Sequence, residues 1–120
     1  MSKNLEVSYL LDFYGDLLTD KQREAVEYYY NDDLSLSEIA DNLKISRQGV
    51  RDSIKRAEAI LFNMEKTLGL AQRFQTMQKG LGVIKSEIEK IDERNMKIYR
   101  SDAINESVKL ILKTVDELCE

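Results

Sequence analysis

The stretch from Leu34 to Leu61, LSLSEIADNLKISRQGVRDSIKRAEAIL, leaves little room for any fold except two helices joined by a tight turn. Ser35 stands three residues before Glu38, the spacing at which each side chain takes up a free backbone N–H of the other residue. The helix that follows places Leu36, Ile39, Ala40 and Leu43 on one face, the period of a buried stripe. Small Ala40 lets a second helix approach closely. Ser46 suits the N-cap of that second helix, whose inward row at about 3.6 residues per turn is Val50, Ile54, Ala57 and Leu61. The turn itself, Asn42-Leu43-Lys44-Ile45, contains no glycine. Lys44 or Asn42 must therefore adopt the left-handed conformation, at a cost of about 1 kcal/mol.

On this geometry Gln48, Arg51 and Lys55 point outward, and Arg47 sits with Ser46 at the exposed N-terminal turn. A helix, a turn and a second helix with a basic outer stripe is the layout of a DNA-binding helix–turn–helix, whose second helix lies in the major groove. The expected nucleic-acid contacts are Ser46, Arg47, Gln48, Arg51 and Lys55. Arginine and glutamine reach base edges or phosphates, and lysine suits a phosphate. Asp52 falls near the centre of the same face. Its carboxylate opposes phosphate unless it pairs with Arg56, four residues on, or accepts from a cytosine amino group. The competing reading is that Arg47, Arg51, Lys55 and Arg56 merely solvate a packed helix.

Upstream, Thr19 and Gln22 repeat the capping signature and open a helix with Ala25, Val26, Tyr29 and Tyr30 on its apolar side. Asn31-Asp32-Asp33 stop it, because these side chains compete for backbone groups. Leu5, Tyr9, Leu10, Phe13, Tyr14 and Leu17 mark a further amphipathic helix before it. With its LT-x-x-Q-R-E, its E-I-A core and its S-R-x-x-V helix start, Leu18–Leu61 resembles region four of bacterial sigma factors. The whole chain resembles the YlxM family of small bacterial proteins. That likeness is carried by LEVSYLLDFYGDLLTDKQREAVEYYYNDDLSLSEIA and KISRQGVRDSIKRAE and is looser in the C-terminal part. The resemblance implies a helix–turn–helix protein with a regulatory role. It also implies a link to the signal recognition particle pathway, beside whose genes those of the family commonly lie. It brings no catalytic residue.

Composition bounds the rest. The chain has 120 residues, no proline, five glycines and 33% charged residues, and it lacks alternating β-branched runs, so an all-α fold is expected. With no histidine and a lone Cys119, the commonest acid–base group, zinc ligand and disulfide are missing. Asp32, Asp33 and Glu38 lack the spacing of a calcium loop, and no glycine-rich phosphate loop follows a strand. We expect no enzyme, no metal and no cofactor. No apolar run approaches the roughly 20 residues that span a bilayer, and the first ten residues hold no secretory pattern. The expected location is cytoplasmic, without membrane insertion.

Charge is unevenly spread. Residues 1–43 carry three basic and ten acidic side chains, residues 44–58 five and two, and residues 59–120 ten of each. A basic patch on an acidic body binds polyanions weakly and salt-sensitively unless two patches act together.

The C-terminal half supplies a means of pairing. Gly69 is a plausible helix end. A short amphipathic piece with Leu70, Phe74 and Met77 follows, and Lys79-Gly80-Leu81-Gly82 reads as a hinge or helix stop. Ile84, Ile88, Ile91 and Ile98 then recur at four-three spacing, with Asn95 in the row. After a break at Arg100-Ser101-Asp102 the spacing resumes at Ile104, Val108, Ile111, Val115 and Leu118. These stripes fold as a hairpin onto the first domain, or form a homodimer seam through Ile84, Ile88, Ile91, Asn95 and Ile98, with Asn95 fixing register. The expected organisation is an N-terminal helix plus helix–turn–helix domain over residues 1–69 and a helical extension over 70–120. The expected partners are double-stranded DNA and a second copy of the chain. The alternative is an accessory factor that binds signal recognition particle RNA or protein and no duplex.

Overall fold

The computed structural model describes residues 3–119; Met1, Ser2 and Glu120, which end the expected domain spans, lie outside the described residues. The described residues form six α-helices and no strand: α1 (Glu6–Tyr14), α2 (Asp20–Tyr30), α3 (Leu36–Leu43), α4 (Arg47–Leu68), α5 (Leu70–Arg94) and α6 (Asp102–Cys119). The all-α expectation holds. Tertiary contacts divide the chain into two compact units, Met1–Gln72 and Arg73–Glu120.

In the first unit α1, α2 and α3 each pack on α4. Both capping boxes form. Thr19 accepts from the Gln22 N–H and Ser35 from the Glu38 N–H, while the Gln22 and Glu38 side chains take the Thr19 and Ser35 N–H groups. Each such cap contributes about 1 kcal/mol. The Asn31-Asp32-Asp33 stop also holds: α2 ends at Tyr30, and Asp33 is left-handed at φ 56°. Tyr30 donates from its hydroxyl to Glu58 of α4. Burial and that carboxylate push the Tyr30 phenol well up from its ordinary value.

The stripe on α1 differs from the expected one. Val7, Leu10, Leu11 and Tyr14 are buried, whereas Leu5 and Leu17 are 79% and 57% exposed. Leu5 precedes the helix and Leu17 lies in the 3₁₀ turn Gly15–Leu17 after it, so neither follows the helical period that Val7 and Leu11 occupy. Tyr9 and Phe13 flank the stripe edge-to-face with centroids 5.1 Å apart.

Gly69 ends α4 in the left-handed conformation, at φ 64°, as expected. The first turn of α5 is then held by two side chains. The Glu65 carboxylate accepts from the Tyr14 hydroxyl at 2.7 Å and from the Ala71 and Gln72 N–H groups at 3.0 Å, and the Tyr14 oxygen accepts from the Leu70 N–H at 3.1 Å. Three orphan donors at a helix start are thereby satisfied beside a negative charge, which the helix dipole favours.

The expected stop at Gly80 and Gly82 does not occur, and α5 runs through both to Arg94. Neither glycine has a positive φ. Each costs about 1 kcal/mol against alanine inside a helix, which weakens a helix without ending it when no proline follows. In the second unit, the residues Asn95–Tyr99 form a π-helical turn, Arg100 is left-handed at φ 50°, and the Ser101 Oγ accepts from the Ile104 N–H to start α6. The expected break at Arg100-Ser101-Asp102 therefore stands. Asn95 closes this turn: its amide donates to the Ser101 carbonyl at 3.0 Å and accepts from the Ser101 N–H at 2.9 Å. Lys85 on α5 and Asp116 on α6 meet at 3.1 Å, so the segment is an antiparallel helical hairpin.

Hydrogen bonding to Tyr14 holds the Glu65 carboxyl below its ordinary value, with the Ala71 and Gln72 N–H groups adding to the effect against burial. A lowered folded value gives stability that is present above the unfolded glutamate range, about pH 4.3, and lost as pH falls through the folded value. We predict that Glu65→Gln lowers the urea midpoint at neutral pH, and that the gap from the natural chain closes in acid. A gap independent of pH would contradict this role.

Candidate nucleic-acid interface

The roll of α4 about its axis decides which side chains reach solvent. Ser46 is extended, at φ −74° and ψ 157°, and its Oγ accepts from the Gly49 N–H at 3.0 Å, as the sequence leads one to expect. The predicted inward row is fully enclosed: Val50, Ile54, Ala57 and Leu61 are each 0% exposed. At about 100° per residue, the direction opposite this row is taken by Gln48, Asp52, Lys55 and Ala59. All four are exposed, as is Arg47, while Arg51 lies half-buried on the flank.

The turn before α4 resolves as one of the two anticipated alternatives. Lys44 takes the left-handed conformation at φ 56° and ψ 43°, and its N–H donates to the Ala40 carbonyl. Ile45 also donates to that carbonyl, at 3.1 Å. The double acceptance ends α3 and turns the chain into α4 within three residues, Lys44 to Ser46.

Leu36, Arg47, Gln48 and Arg51 together line a shallow surface depression between the starts of α3 and α4. Arg47, Arg51, Lys55 and Arg56 have no ion-pair partner among the described residues. In contrast, Arg23 in the acidic half is bound by Asp16 at 2.6 Å and Glu27 at 2.9 Å. The cations of α4 are thus available to an external anion. No group of three or more metal-ligating side chains occurs among the described residues.

Asp52 departs from expectation. Its partner is not Arg56 but Gln48, whose Nε2 donates to Oδ1 at 3.0 Å. Side chains on a helix lean toward its N-terminus, which carries the short Asp52 carboxylate toward the turn of Gln48 and away from Arg56. Two other participants were not singled out in the sequence. Leu36 was assigned to the core stripe, and its place beside Arg47 depends on the angle between two helices. Gly49 was legible in principle, since the third residue after a serine N-cap is the one that donates to it. A Cβ there would stand 3.2 Å from Ser46 Oγ, tight enough to press on the cap.

Of the expected dimerisation residues, Ile84 and Ile91 are each 47% exposed, Ile98 is 68% exposed and Ile88 is half-buried. Asn95 is buried and spends its amide on Ser101.

The family model described as "Putative helix-turn-helix protein, YlxM / p13 like" matches residues 1–111. The chain belongs to that family. A UPF0122 protein of Thermoanaerobacter sp. (strain X514) is 47% identical over 114 residues, covering 95% of this chain and 94% of its own length. A UPF0122 protein of Acetivibrio thermocellus is 46% identical over 121 positions, covering 100% of this chain and 96% of its own. One from Bacillus cereus (strain AH187) is 39% identical over 118 residues, covering 98% of each. The YlxM-like match extends beyond the helix–turn–helix into α6.

The left-handed Lys44 stores avoidable strain. Lys44→Gly should raise the stability of this YlxM-like protein by about 0.5–1 kcal/mol, because glycine adopts that conformation without a Cβ penalty and gives back part of the gain as chain entropy. Paired thermal melts measure it, and a lowered midpoint would contradict the turn described.

Proposed function

We propose that this YlxM-like protein is a cytoplasmic DNA-binding regulator that acts without catalysis, inserting the start of α4 into the major groove. The observation that carries this reading is the face opposite the enclosed row of α4: exposed, and bordered by four cations that have no ion-pair partner among the described residues. Recognition helices use their N-terminal residues on base edges. Here those residues are Arg47, Gln48 and Arg51, with Lys55 one turn further along the phosphates. No helix among the described residues is long and apolar enough to cross a membrane, which accords with a nucleic-acid partner in the cytoplasm.

The apolar row on the hairpin supports action in pairs. Within Arg73–Glu120 only Val108 and Val115 are buried hydrophobics among the described residues, while Val83, Ile84, Ile91, Leu110 and Leu118 are exposed. Two helices alone enclose too little apolar surface to offset their ordering entropy. A second copy supplies the same row and completes a four-helix arrangement. It also brings a second basic patch to the same duplex, so that phosphate contacts add although each copy carries a net charge of −4.

Fluorescence anisotropy with random duplex at low and near-physiological salt tests the reading. The natural chain should bind the duplex, and Arg47→Ala/Arg51→Ala/Lys55→Ala should weaken binding and reduce the salt slope by about 2–3 for each copy bound. Affinity for signal recognition particle RNA with none for duplex would contradict duplex reading and favour the accessory role. In sedimentation the natural chain should run at twice 13.9 kDa, and Ile84→Glu/Ile91→Glu at 13.9 kDa with the helices of the first unit retained. A natural chain at 13.9 kDa across the micromolar range would remove the paired arrangement.

A further inference from the structure

We propose that Gln48 and Asp52 form one reading unit that selects adenine and rejects guanine at the base pair facing the start of α4; the inference rests on the duplex-binding reading. A carboxylate accepts hydrogen bonds and does not donate them. The 3.0 Å contact between Gln48 Nε2 and Asp52 Oδ1 therefore fixes which end of the amide faces Asp52. One N–H is held by the carboxylate, and the other N–H and Oε1 remain for a ligand. An N–H donor beside a carbonyl acceptor in one plane matches adenine in the major groove, where N7 accepts and the N6 amino group donates.

Asp52 acts through Gln48 as a positioning residue and also through its own charge. Its second oxygen is a free acceptor on the outermost line of α4, where Asp52 and Gln48 are both exposed. An exocyclic amino group from adenine or cytosine can donate to it. Guanine offers only the N7 and O6 acceptors on that edge, and both are repelled by the carboxylate. A carboxylate that opposes phosphate is tolerable here because the same helix carries Arg47, Arg51 and Lys55. The acid costs general affinity and returns discrimination, which is how a repulsive group contributes to specificity.

The test is selection of duplexes from a randomised pool by the natural full-length chain, by Gln48→Ala and by Asp52→Asn. Affinities are then measured for the selected site and for its single adenine-to-guanine replacement. The natural chain should fix an adenine whose replacement costs roughly 5- to 150-fold, the range of one bidentate base contact. Gln48→Ala should lose that preference while keeping the α-helical content of the natural chain. Asp52→Asn should bind random duplex more tightly yet discriminate less against guanine, a combination that loss of structure does not produce. A fixed site whose preferences are unchanged in both variants would overturn the inference and leave duplex binding intact. Absence of duplex binding by the natural chain at low salt would instead remove the duplex-binding reading, and this inference with it.

Discussion

Burial of the row Val50, Ile54, Ala57 and Leu61 under α1, α2 and α3 is the interaction on which the rest of the first unit depends. A helix with one fully enclosed stripe cannot roll, since turning it by one residue would expose four apolar side chains and bury a charged one. Losing even one of the larger residues costs about 2–5 kcal/mol. The stripe therefore does more than stabilise. It decides that Gln48, Asp52 and Lys55 face outward and that Arg51 stays on the flank. The Ser46 cap sets where α4 starts and the left-handed Lys44 sets how the chain arrives there. Position, roll and starting point of α4 each have a separate physical cause.

The two units meet their energetic needs differently. The first encloses a core of aliphatic and aromatic side chains and closes it with polar devices such as the Tyr14–Glu65 pair. The second is a hairpin whose most deeply buried polar residue, Asn95, serves its own turn. Much of its apolar surface faces outward. Its surface ion pairs, Lys97 with Glu93 and Lys90 with Glu87, contribute only tenths of a kcal/mol. Stability in such a segment comes from whatever covers its isoleucines.

Much of this was legible in the sequence, and the exceptions share a cause. Thr19/Gln22, Ser35/Glu38 and Ser46 could be named as caps because a cap is a local contract between residues three apart. The four inward residues of α4 could be named because only one phase of its period is apolar. The N-terminal segment was harder: LEVSYLLDFYGDLL is apolar at so many positions that two phases fit, and Val7 and Leu11 took places expected of Leu5 and Leu17. Gly80 and Gly82 read as a stop because turn signals are qualitative, whereas a penalty of about 1 kcal/mol each is absorbed by a long helix. Asn95 fell in an isoleucine row, yet its partner is a backbone group six residues on. On the helix itself Arg47, Gln48 and Lys55 are exposed as the period implies, whereas Arg51 is half-buried. The Gln48–Asp52 contact was missed because spacing alone allows Asp52 a partner on either side, and only side-chain tilt chooses between them.

On the proposed reading, duplex DNA is met by the outward face of α4. Titrating duplex into isotopically labelled protein and following backbone amide resonances by NMR tests it most directly. The largest shifts should fall on Ser46, Arg47, Gln48, Arg51 and Lys55, with the acidic α2 surface unmoved. Shifts concentrated on the hairpin, or none at any ratio of duplex to protein, would contradict it.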